Sequence, residues 1–244
     1  MIEKTLFYSN PYSRKFSLIS RDFIKNFCES FQRNFSHPAA VDFISKTRIP
    51  NERELYGIFA KSLYDFKSDD DVHVATEVQI QRKSEDDTSS TGRVDLVVRY
   101  RKVTFLLEIK VYRVPLSKGA SEVREISSKA LKAWESACEQ LTGLDTTSLG
   151  EFLDSERVIK MPVVLFLYFS GANRVFEEPL SYILNKTEQL EELLIESSFN
   201  DVYFRYAAAF DNTIETHRRK SSSLKGGEKV NLYGFAILST ILDQ

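Results

Sequence analysis

The feature that most constrains this fold is a pair of alternating segments, 93–100 and 103–112, joined by the dipeptide Arg101-Lys102. In both segments apolar residues recur at every second position, and charged residues occupy positions between them. Alternation over eight or more residues is typical of a β-strand with one buried face. The sequence therefore predicts a β-hairpin whose second face carries Asp95 on one strand and Glu108 on the other.

The length of the hairpin turn decides which residues face each other. With a two-residue turn, Asp95 lies directly opposite Glu108. The Cβ atoms of such a pair lie about 4.5–5.5 Å apart, and two like charges at this distance destabilise a sheet unless something neutralises them. A divalent cation is the neutralising group that two carboxylates favour. Lys110, two residues along the same face, is then placed to hold or polarise a water beside the metal.

Two alternatives to this arrangement stay open. Arg-Lys is not among the dipeptides that type I′ turns favour, such as Asn-Gly or Asp-Gly. A four-residue loop keeps the same pairing, whereas a three-residue loop with a bulge shifts the pairing by one residue. The charges also fit an ordinary solvated hairpin face, which is common in antiparallel sheets. The apolar character of the strand that carries Glu108 favours the paired site over the solvated face.

The spacing of these residues resembles the PD-(D/E)XK nuclease superfamily. Asp95 is followed by twelve residues and then by Glu108-Ile109-Lys110. The flanking sequences, Gly-Arg-Val-Asp-Leu and Leu-Leu-Glu-Ile-Lys-Val, are a typical form of the family pattern. Val94 stands where the family name has Pro, a departure that removes no metal ligand. The resemblance covers residues 50–170 or so and says little about either end of the chain.

The resemblance implies an α/β fold with a restriction-endonuclease-like mixed central sheet flanked by helices. The order of the predicted elements agrees with such a fold, because a helix, a strand, a hairpin, a helix, a strand, a helix and two more strands follow one another. Helical N-terminal and β-rich C-terminal additions would surround the core. We therefore expect an N-terminal helical extension over residues 1–48 and a nuclease domain over residues 49–244.

The resemblance also implies an activity, that of a Mg²⁺-dependent endonuclease or exonuclease acting on nucleic acid, with DNA favoured over RNA. Asp95, Glu108 and the carbonyl of Ile109 are expected to bind Mg²⁺, for which Mn²⁺ would substitute. Lys110 is expected to orient the attacking water and help to deprotonate it. Bacterial restriction or anti-phage defence fits such an enzyme. The alternative is a catalytically inactive nuclease-fold module that binds protein or nucleic acid.

The resemblance further implies an acid on the helix that follows Pro50. Asn51 is a suitable N-cap, and apolar residues at helical spacing define the buried face of this helix. At 100° per residue, Glu52 lies roughly 40° from the centre of that face and Glu54 roughly 120°. We expect Glu52 to complete the metal site, with Glu54 as the alternative. The simpler interpretation of either acid is a favourable interaction with the helix N-terminus.

Two further regions are candidates for contact with nucleic acid. Gln140, on a helix predicted over 121–142, resembles a glutamine that some branches of the family carry near the catalytic lysine; a surface glutamine is an equal interpretation. The basic, Ser/Gly-rich segment 217–227 is suited to attract phosphates, and an inert flexible loop is the alternative. The cations that begin this segment are Arg218, Arg219 and Lys220. Cations expected to rim the cleft are Arg93, Arg99, Arg101, Lys102, Arg113 and Lys118.

The remaining elements follow from periodicity. Residues 15–48 are predicted to form a helix with an aromatic stripe, and this stripe is expected to pack against the core or against a partner subunit. A docking surface for a partner protein or a second copy of the chain is the alternative. The other predicted elements are strands at 72–81, 158–169, 202–210 and 230–238 and a helix at 182–197.

Composition narrows the function classes. The net charge of −2 provides no global basic field, so nucleic-acid binding must depend on local patches. The 2 cysteines and 3 histidines are dispersed, which disfavours a disulfide framework and a His/Cys metal centre and leaves a hard cation on oxygen ligands. The longest apolar run, 161–169, is too short to cross a bilayer, and we expect a cytoplasmic protein without membrane contact.

Overall fold

The computed structural model contains one mixed seven-stranded sheet with helices packed on both faces. The residues that it describes are 5–9, 18–66, 72–82, 91–116, 123–146, 157–195, 202, 204–218 and 228–242. The helices among these residues are α1 (Leu18–Phe35), α2 (Pro38–Lys46), α3 (Glu52–Tyr64), α4 (Val123–Thr142) and α5 (Pro179–Ile195). The strands are β1 (Thr5–Ser9), β2 (Val72–Gln81), β3 (Thr91–Tyr100), β4 (Val103–Pro115), β5 (Arg157–Gly171), β6 (Phe204–Arg218) and β7 (Glu228–Ser239).

The sheet has the strand order β1-β6-β7-β5-β4-β3-β2. Strands β4 and β5 are parallel, and every other neighbouring pair is antiparallel. Helix α4 makes the crossover between the two parallel strands, as a parallel connection requires. The prediction of a mixed α/β fold is confirmed.

Strand β5 lies at the centre of the sheet and separates two cores. Its residues from 158 to 170 are all buried. Met161 and Leu165 point to the core formed with α1, α2 and α3, whereas Phe166 and Tyr168 point to the core formed with α4 and α5. A strand that is covered on both faces must be apolar at consecutive positions. The predicted central strand at 158–169 is therefore confirmed, with slightly wider bounds.

The predicted helix at 15–48 is wrong as a single element. Helix α1 ends at Phe35, and α2 begins at Pro38. Proline lacks the N–H that a continuing helix needs, but its fixed φ suits the first position of a new helix. The side chain of His37 caps α2 by accepting a hydrogen bond from the Ala39 N–H at 3.3 Å. Residues 15–17 lie outside the described residues.

The aromatic stripe of α1 forms part of the main core. Phe23, Phe27, Phe31 and Phe35 are fully buried. The ring of Phe23 stacks on Phe105 of β4, with centroids 3.9 Å apart. This stripe is therefore not an exposed docking surface for a partner. The first 48 residues also supply β1, an edge strand that was not predicted. The division into an extension at 1–48 and a domain at 49–244 stays a prediction.

The hairpin of β3 and β4 has the predicted two-residue turn. Arg101 and Lys102 have φ values of 48° and 61°, the two positive values that a type I′ turn requires. Tyr100 pairs with Val103, and the same register continues along the hairpin toward the predicted acids. The guanidinium of Arg101 lies 5.0 Å from the centroid of the Tyr100 ring. The predicted register is confirmed from the Tyr100–Val103 pair to the Leu96–Leu107 pair, although the dipeptide is unusual for this turn.

The C-terminal strands extend further than predicted. His217 and Arg218 belong to β6, where they pair with Lys229 and Glu228, rather than to a connecting loop. The Ile49 N–H donates a hydrogen bond to the His217 carbonyl at 3.1 Å. This contact, which joins distant parts of the sequence, extends the strand beyond its apolar residues. Residues 219–227 lie outside the described residues.

The remaining elements agree with the predictions apart from their ends. Helix α4 ends before Gly143 as expected, α5 begins at Pro179, and β4 continues to Pro115, beyond the predicted end of the strand at residue 112. Residues 117–122 lie outside the described residues. No helix among the described residues is long and apolar enough to cross a membrane.

Candidate active site

Main-chain pairing between β3 and β4 stops just before the position where Asp95 and Glu108 would face each other. Pairing runs from the turn to Leu96, which faces Leu107. One position further, where Asp95 would face Glu108, the Oδ2 atom of Asp95 accepts a hydrogen bond from the Ile109 N–H at 2.8 Å. In a regular antiparallel ladder such an N–H would bond to a main-chain carbonyl of the partner strand. The carboxylate of Asp95 thus replaces main-chain pairing at this level of the sheet.

The neighbouring edge strand β2 is irregular at the same level. Glu77, which would face Asp95, has φ 53°, in the left-handed region that non-glycine residues rarely adopt. Main-chain pairing between β2 and β3 continues on both sides of this position. The side chain of Glu77 lies 3.6 Å from Arg93 and is about half exposed. Both neighbours of Asp95 in the sheet therefore depart from regular geometry beside it.

The second oxygen of Asp95 is held by helix α3. The hydroxyl of Tyr56 donates a hydrogen bond to Oδ1 of Asp95, with an oxygen–oxygen distance of 2.6 Å. Asp95 is only 6% exposed, so its negative charge depends on these two donors for the stabilisation that water would otherwise provide. The carboxylate is thus fixed between the N-terminal half of α3 and the main chain of β4.

Lys110 joins three elements at the same place. Its Nζ lies 2.6 Å from Oε1 of Glu108 and donates a hydrogen bond to Oε1 of Gln140 on α4 at 3.3 Å. The same ammonium lies 4.0 Å from Oε1 of Glu52 on α3. Strand alternation explains the first contact, because Glu108 and Lys110 project from the same face of β4. The structure therefore brings together the predicted residues Glu52, Asp95, Glu108, Lys110 and Gln140.

The two candidate acids of α3 have different roles. Asn51 is the N-cap, as predicted, and it forms a capping box with Glu54 in which each side chain accepts a hydrogen bond from the other residue's N–H. Glu54 also pairs with Arg48 at 2.7 Å. Burial alone would raise the pKa of Glu54, but these hydrogen bonds and the Arg48 charge lower it. Glu54 is thus committed to the helix terminus, and Glu52 is the acid that lies beside Lys110.

The three carboxyl groups of the site lie around a single ammonium group, that of Lys110, and this imbalance of charge shifts their pKa values. Burial raises the pKa of Glu108 to about 7 and outweighs the hydrogen bond from Lys110, and the nearby charge of Asp95 acts in the same direction as burial. Burial also raises the pKa of Glu52, where Lys110 lowers it and Asp95 raises it. Burial would lower the pKa of Lys110, but Glu108, Glu52 and Asp95 together raise it. Three carboxylates around one ammonium favour binding of a further cation.

The oxygen atoms at the site are of the type that a hard divalent cation prefers as ligands. Asp95, Glu108 and Glu52 provide carboxylates, and the carbonyl of Ile109 lies on the same strand as Glu108. Among the described residues, however, His, Cys, Asp and Glu side chains form no ready group of three around a metal position. The oxygens that a cation would use already accept hydrogen bonds from Tyr56, Ile109 and Lys110. Because a carboxylate has about four lone-pair positions, a cation can share these oxygens.

The other predicted cations do not all lie at the site. Arg101 and Lys102 form the hairpin turn, six residues and therefore about 20 Å along the strand from Asp95. Arg101 instead lies 3.7 Å from Asp22 on α1. Arg113 donates a hydrogen bond to the Ile49 carbonyl at 2.9 Å, which connects β4 to the start of α3. The expectation that the turn cations rim the cleft is wrong. The side chain of Arg218, and all of Arg219, Lys220 and Lys118, lie outside the described residues.

Tyr56 is the site residue that the sequence prediction missed. It lies four residues after Glu52 on α3, so both side chains project from the same face of the helix. This spacing was a usable signal, because a polar hydroxyl one turn from a predicted site acid is placed to reach the same site. The identity of its partner, Asp95, depended on how α3 packs against the sheet.

The fold and site define a mixed α/β protein with an open seven-stranded sheet and an acidic cluster around one lysine. No protein-family model matches the chain, and neither a curated protein nor a solved structure matches it. The function is therefore inferred from the site geometry.

Proposed function

We propose that this chain is a metal-dependent nuclease of the PD-(D/E)XK type, hydrolysing phosphodiester bonds in nucleic acid, with DNA favoured over RNA. The observation that carries the proposal is the position of Lys110, 2.6 Å from Glu108 and 4.0 Å from Glu52. Asp95 lies beside this group on the neighbouring strand. Two strand acids, a helix acid and a lysine thus converge where the β3–β4 pairing is interrupted.

The element order supports a restriction-endonuclease-like core. Helix α3 is followed by β2, by the β3–β4 hairpin, by α4 and by β5, which lies parallel to β4. This is the order of helix, strand, hairpin, helix and strand that accompanies the residue pattern. Helix α3 brings Glu52 to the strand acids, and α4 brings Gln140 to Lys110. Helix α3, strands β3 and β4, and helix α4 of the proposed core therefore each supply a residue of the site.

The residues present would hold Mg²⁺ or Mn²⁺ through Asp95, Glu108 and the Ile109 carbonyl, with Glu52 bound directly or through water. Such a cation, when bound, neutralises charge on the scissile phosphate and on the leaving oxygen. Because the pKa of Lys110 is raised, this side chain is an ammonium at neutral pH. An ammonium can orient the attacking water but cannot accept its proton, so the expected help of Lys110 in deprotonation is indirect. With a divalent cation bound, the water would release its proton to solvent more readily, and the ammonium would stabilise the hydroxide that remains. Gln140 restrains the ammonium by accepting a hydrogen bond from it.

The test is cleavage of linear and circular double-stranded DNA, single-stranded DNA and RNA by the full chain, with Mg²⁺ and with chelator. Asp95→Asn, Glu108→Gln, Lys110→Met and Glu52→Gln should each reduce metal-dependent cleavage by about 100-fold or more. Circular dichroism should show that these variants remain folded. Full activity in the Asp95 or Lys110 variant would contradict the proposal.

Glu54→Gln is the matched control for Glu52→Gln, since both residues lie in the first turn of α3. It removes the acid of the capping box and leaves the acid beside Lys110 in place. We expect Glu54→Gln to cut nucleic acid at the wild-type rate under conditions where both proteins are folded. Loss of cleavage in this control, with activity retained in Glu52→Gln, would reassign the helix acid.

One observation favours a second candidate function, a nuclease-fold module that binds without cleaving. Both oxygens of Asp95 already accept hydrogen bonds, one from the Tyr56 hydroxyl and one from the Ile109 N–H. Calorimetric titration with Mg²⁺ and Mn²⁺ distinguishes the two functions. Binding at millimolar or lower concentration supports the nuclease, and its absence supports the module.

A further inference from the structure

Tyr56 lies at the centre of the site and has no role in the chemistry proposed above. Its hydroxyl donates to Oδ1 of Asp95 at 2.6 Å. It also interacts with Glu52, one helical turn earlier. The phenol therefore donates its one proton to a strand acid and belongs to the same helix as the helix acid.

We propose that Tyr56 is a positioning residue that holds the Asp95 carboxylate in the orientation needed to bind a divalent cation. The inference rests on the proposed function, since it assigns Asp95 as a ligand. Tyr56 would act through Asp95 and would contact neither the cation nor the substrate.

The geometry explains how this orientation is fixed. The terminal torsion of an aspartate is soft, so a carboxylate with one donor can rotate about the bond to its Cβ atom. Asp95 has a donor on each oxygen, the Tyr56 hydroxyl on Oδ1 and the Ile109 N–H on Oδ2. Two donors at opposite ends of the carboxylate determine the plane of the group. Loss of the phenolic donor would leave the main-chain donor alone to hold it.

Both donors are themselves rigidly held. The Ile109 N–H belongs to the main chain of β4, whose neighbouring residues pair with β5. Tyr56 is held by α3, because Leu55 and Phe59 on either side of it are buried in the main core. The hydrogen bond from Tyr56 therefore also fixes the distance between α3, which carries Glu52, and the strand acids. The orientation of Asp95 and the position of the helix acid are linked through one side chain.

Hydrogen bonds from Tyr56 and Ile109 leave Asp95 able to bind a cation. About four lone-pair positions are available on a carboxylate, and two of them accept these hydrogen bonds. Groups that orient a metal ligand in this way typically change metal affinity or activity 10- to 100-fold when they are removed. We expect an effect of this size for the phenolic hydroxyl.

The experiment compares the full chain with its Tyr56→Phe variant by calorimetric titration with Mn²⁺ and by cleavage of double-stranded DNA over a range of Mn²⁺ concentrations. We expect the Kd for Mn²⁺ to rise about 10- to 100-fold. The kcat at low Mn²⁺ should fall, and saturating Mn²⁺ should restore it, while the KM for DNA stays unchanged. A merely structural role for Tyr56 would not produce recovery by added metal.

Tyr64→Phe is the matched control. Tyr64 lies two turns further along α3, and its hydroxyl donates to the Val74 carbonyl at 3.1 Å, away from the carboxylates. We expect Mn²⁺ affinity and cleavage in this variant to match the wild type. If Tyr56→Phe fails to fold, Tyr56→Leu also removes the donor and keeps a good helix former at the position.

The outcomes separate this inference from the proposed function. If the wild type binds Mn²⁺ and cleaves DNA but Tyr56→Phe does both equally well, the positioning role is overturned and the nuclease stands. Tighter Mn²⁺ binding in Tyr56→Phe would show that the phenol competes with the cation for Oδ1, which also overturns positioning. A wild type that neither binds Mn²⁺ nor cleaves any substrate overturns both proposals.

Discussion

The buried carboxylate of Glu108 should make the metal-free protein less stable as the pH rises. Burial raises the pKa of Glu108 from 4.5 to about 7. Between these two pH values the folded state binds more protons than the unfolded state, so the free energy of unfolding falls as the pH increases. Above about pH 7 both states are ionised at this group, and the effect levels off. A difference of roughly 2.5 pH units at about 1.36 kcal/mol each corresponds to about 3 kcal/mol.

Glu108→Gln tests this consequence, because glutamine resembles the protonated acid. At pH 8, without metal, we expect the variant to have a free energy of unfolding about 3 kcal/mol higher than the wild type. The raised pKa already includes the hydrogen bond from Lys110, so loss of that ion pair needs no separate correction. For a chain of this length 1 kcal/mol corresponds to about 2–4 °C, so the Tm should rise by about 6–12 °C. At pH 4 the two proteins should have nearly equal Tm values.

Urea and thermal unfolding with chelator between pH 4 and 9 provide the measurement, with Glu54→Gln as the control of opposite sign. The pKa of Glu54 is lowered in the folded protein, so its ionised form stabilises the fold above its unfolded pKa and this contribution is lost as the pH falls. Glu54→Gln should therefore be less stable than the wild type at pH 8 and similar to it at pH 4. A Glu108→Gln variant that is no more stable than the wild type at pH 8, or equally stabilised at pH 4 and 8, would refute the reasoning.

Three further predictions concern the hairpin turn, the N-terminal helices and the basic segment. Lys102→Gly removes a non-glycine residue at φ 61° and should raise the free energy of unfolding by up to about 1 kcal/mol in urea; no gain would mean that the turn is unstrained. Phe31→Ala should lower it by about 3–5 kcal/mol, because the ring is fully buried, whereas a loss below about 1 kcal/mol would make α1 dispensable for the core. Reversal of Arg218, Arg219 and Lys220 to Glu should flatten the salt dependence of DNA binding by up to roughly two to three units without changing metal affinity, and an unchanged slope would exclude phosphate contacts there.

The strands around the site could be predicted because their pattern has one physical cause. Alternation at 93–100 and 103–112 correctly indicated both strands. The prediction of one covered face was wrong, because residues 94–98 and 103–109 are all buried and the two strands are therefore covered on both faces there. The two-residue turn then determined the register, which pairs Leu96 with Leu107, one position before Asp95 and Glu108. Helical geometry similarly distinguished Glu52 from Glu54, because only one of them projects toward the packed face.

The elements that the prediction missed depend on contacts between distant parts of the chain. Strand β1 is short and is paired at the sheet edge by β6, whose partner residues follow about two hundred positions later. The end of β6 is stabilised by Ile49 and by a hydrogen bond from the Thr216 hydroxyl to the Ile44 carbonyl at 2.6 Å. The residues of a short segment do not indicate which distant segment it will pair with. The break before Pro38 was different, since proline at a first helical position is a signal that the sequence itself carries.

The irregular pairing at Asp95 could not be predicted from alternation. The same pair of carboxylates, Asp95 and Glu108, accounts for the irregular pairing and forms the candidate site. A regular ladder would have placed the Asp95 and Glu108 carboxylates face to face, at a distance where like charges destabilise the sheet. The observed structure instead gives Asp95 the Ile109 N–H and the Tyr56 hydroxyl, while Glu108 faces Lys110. The bonds that relieve the repulsion without metal are therefore also the bonds that orient both acids around the proposed cation position.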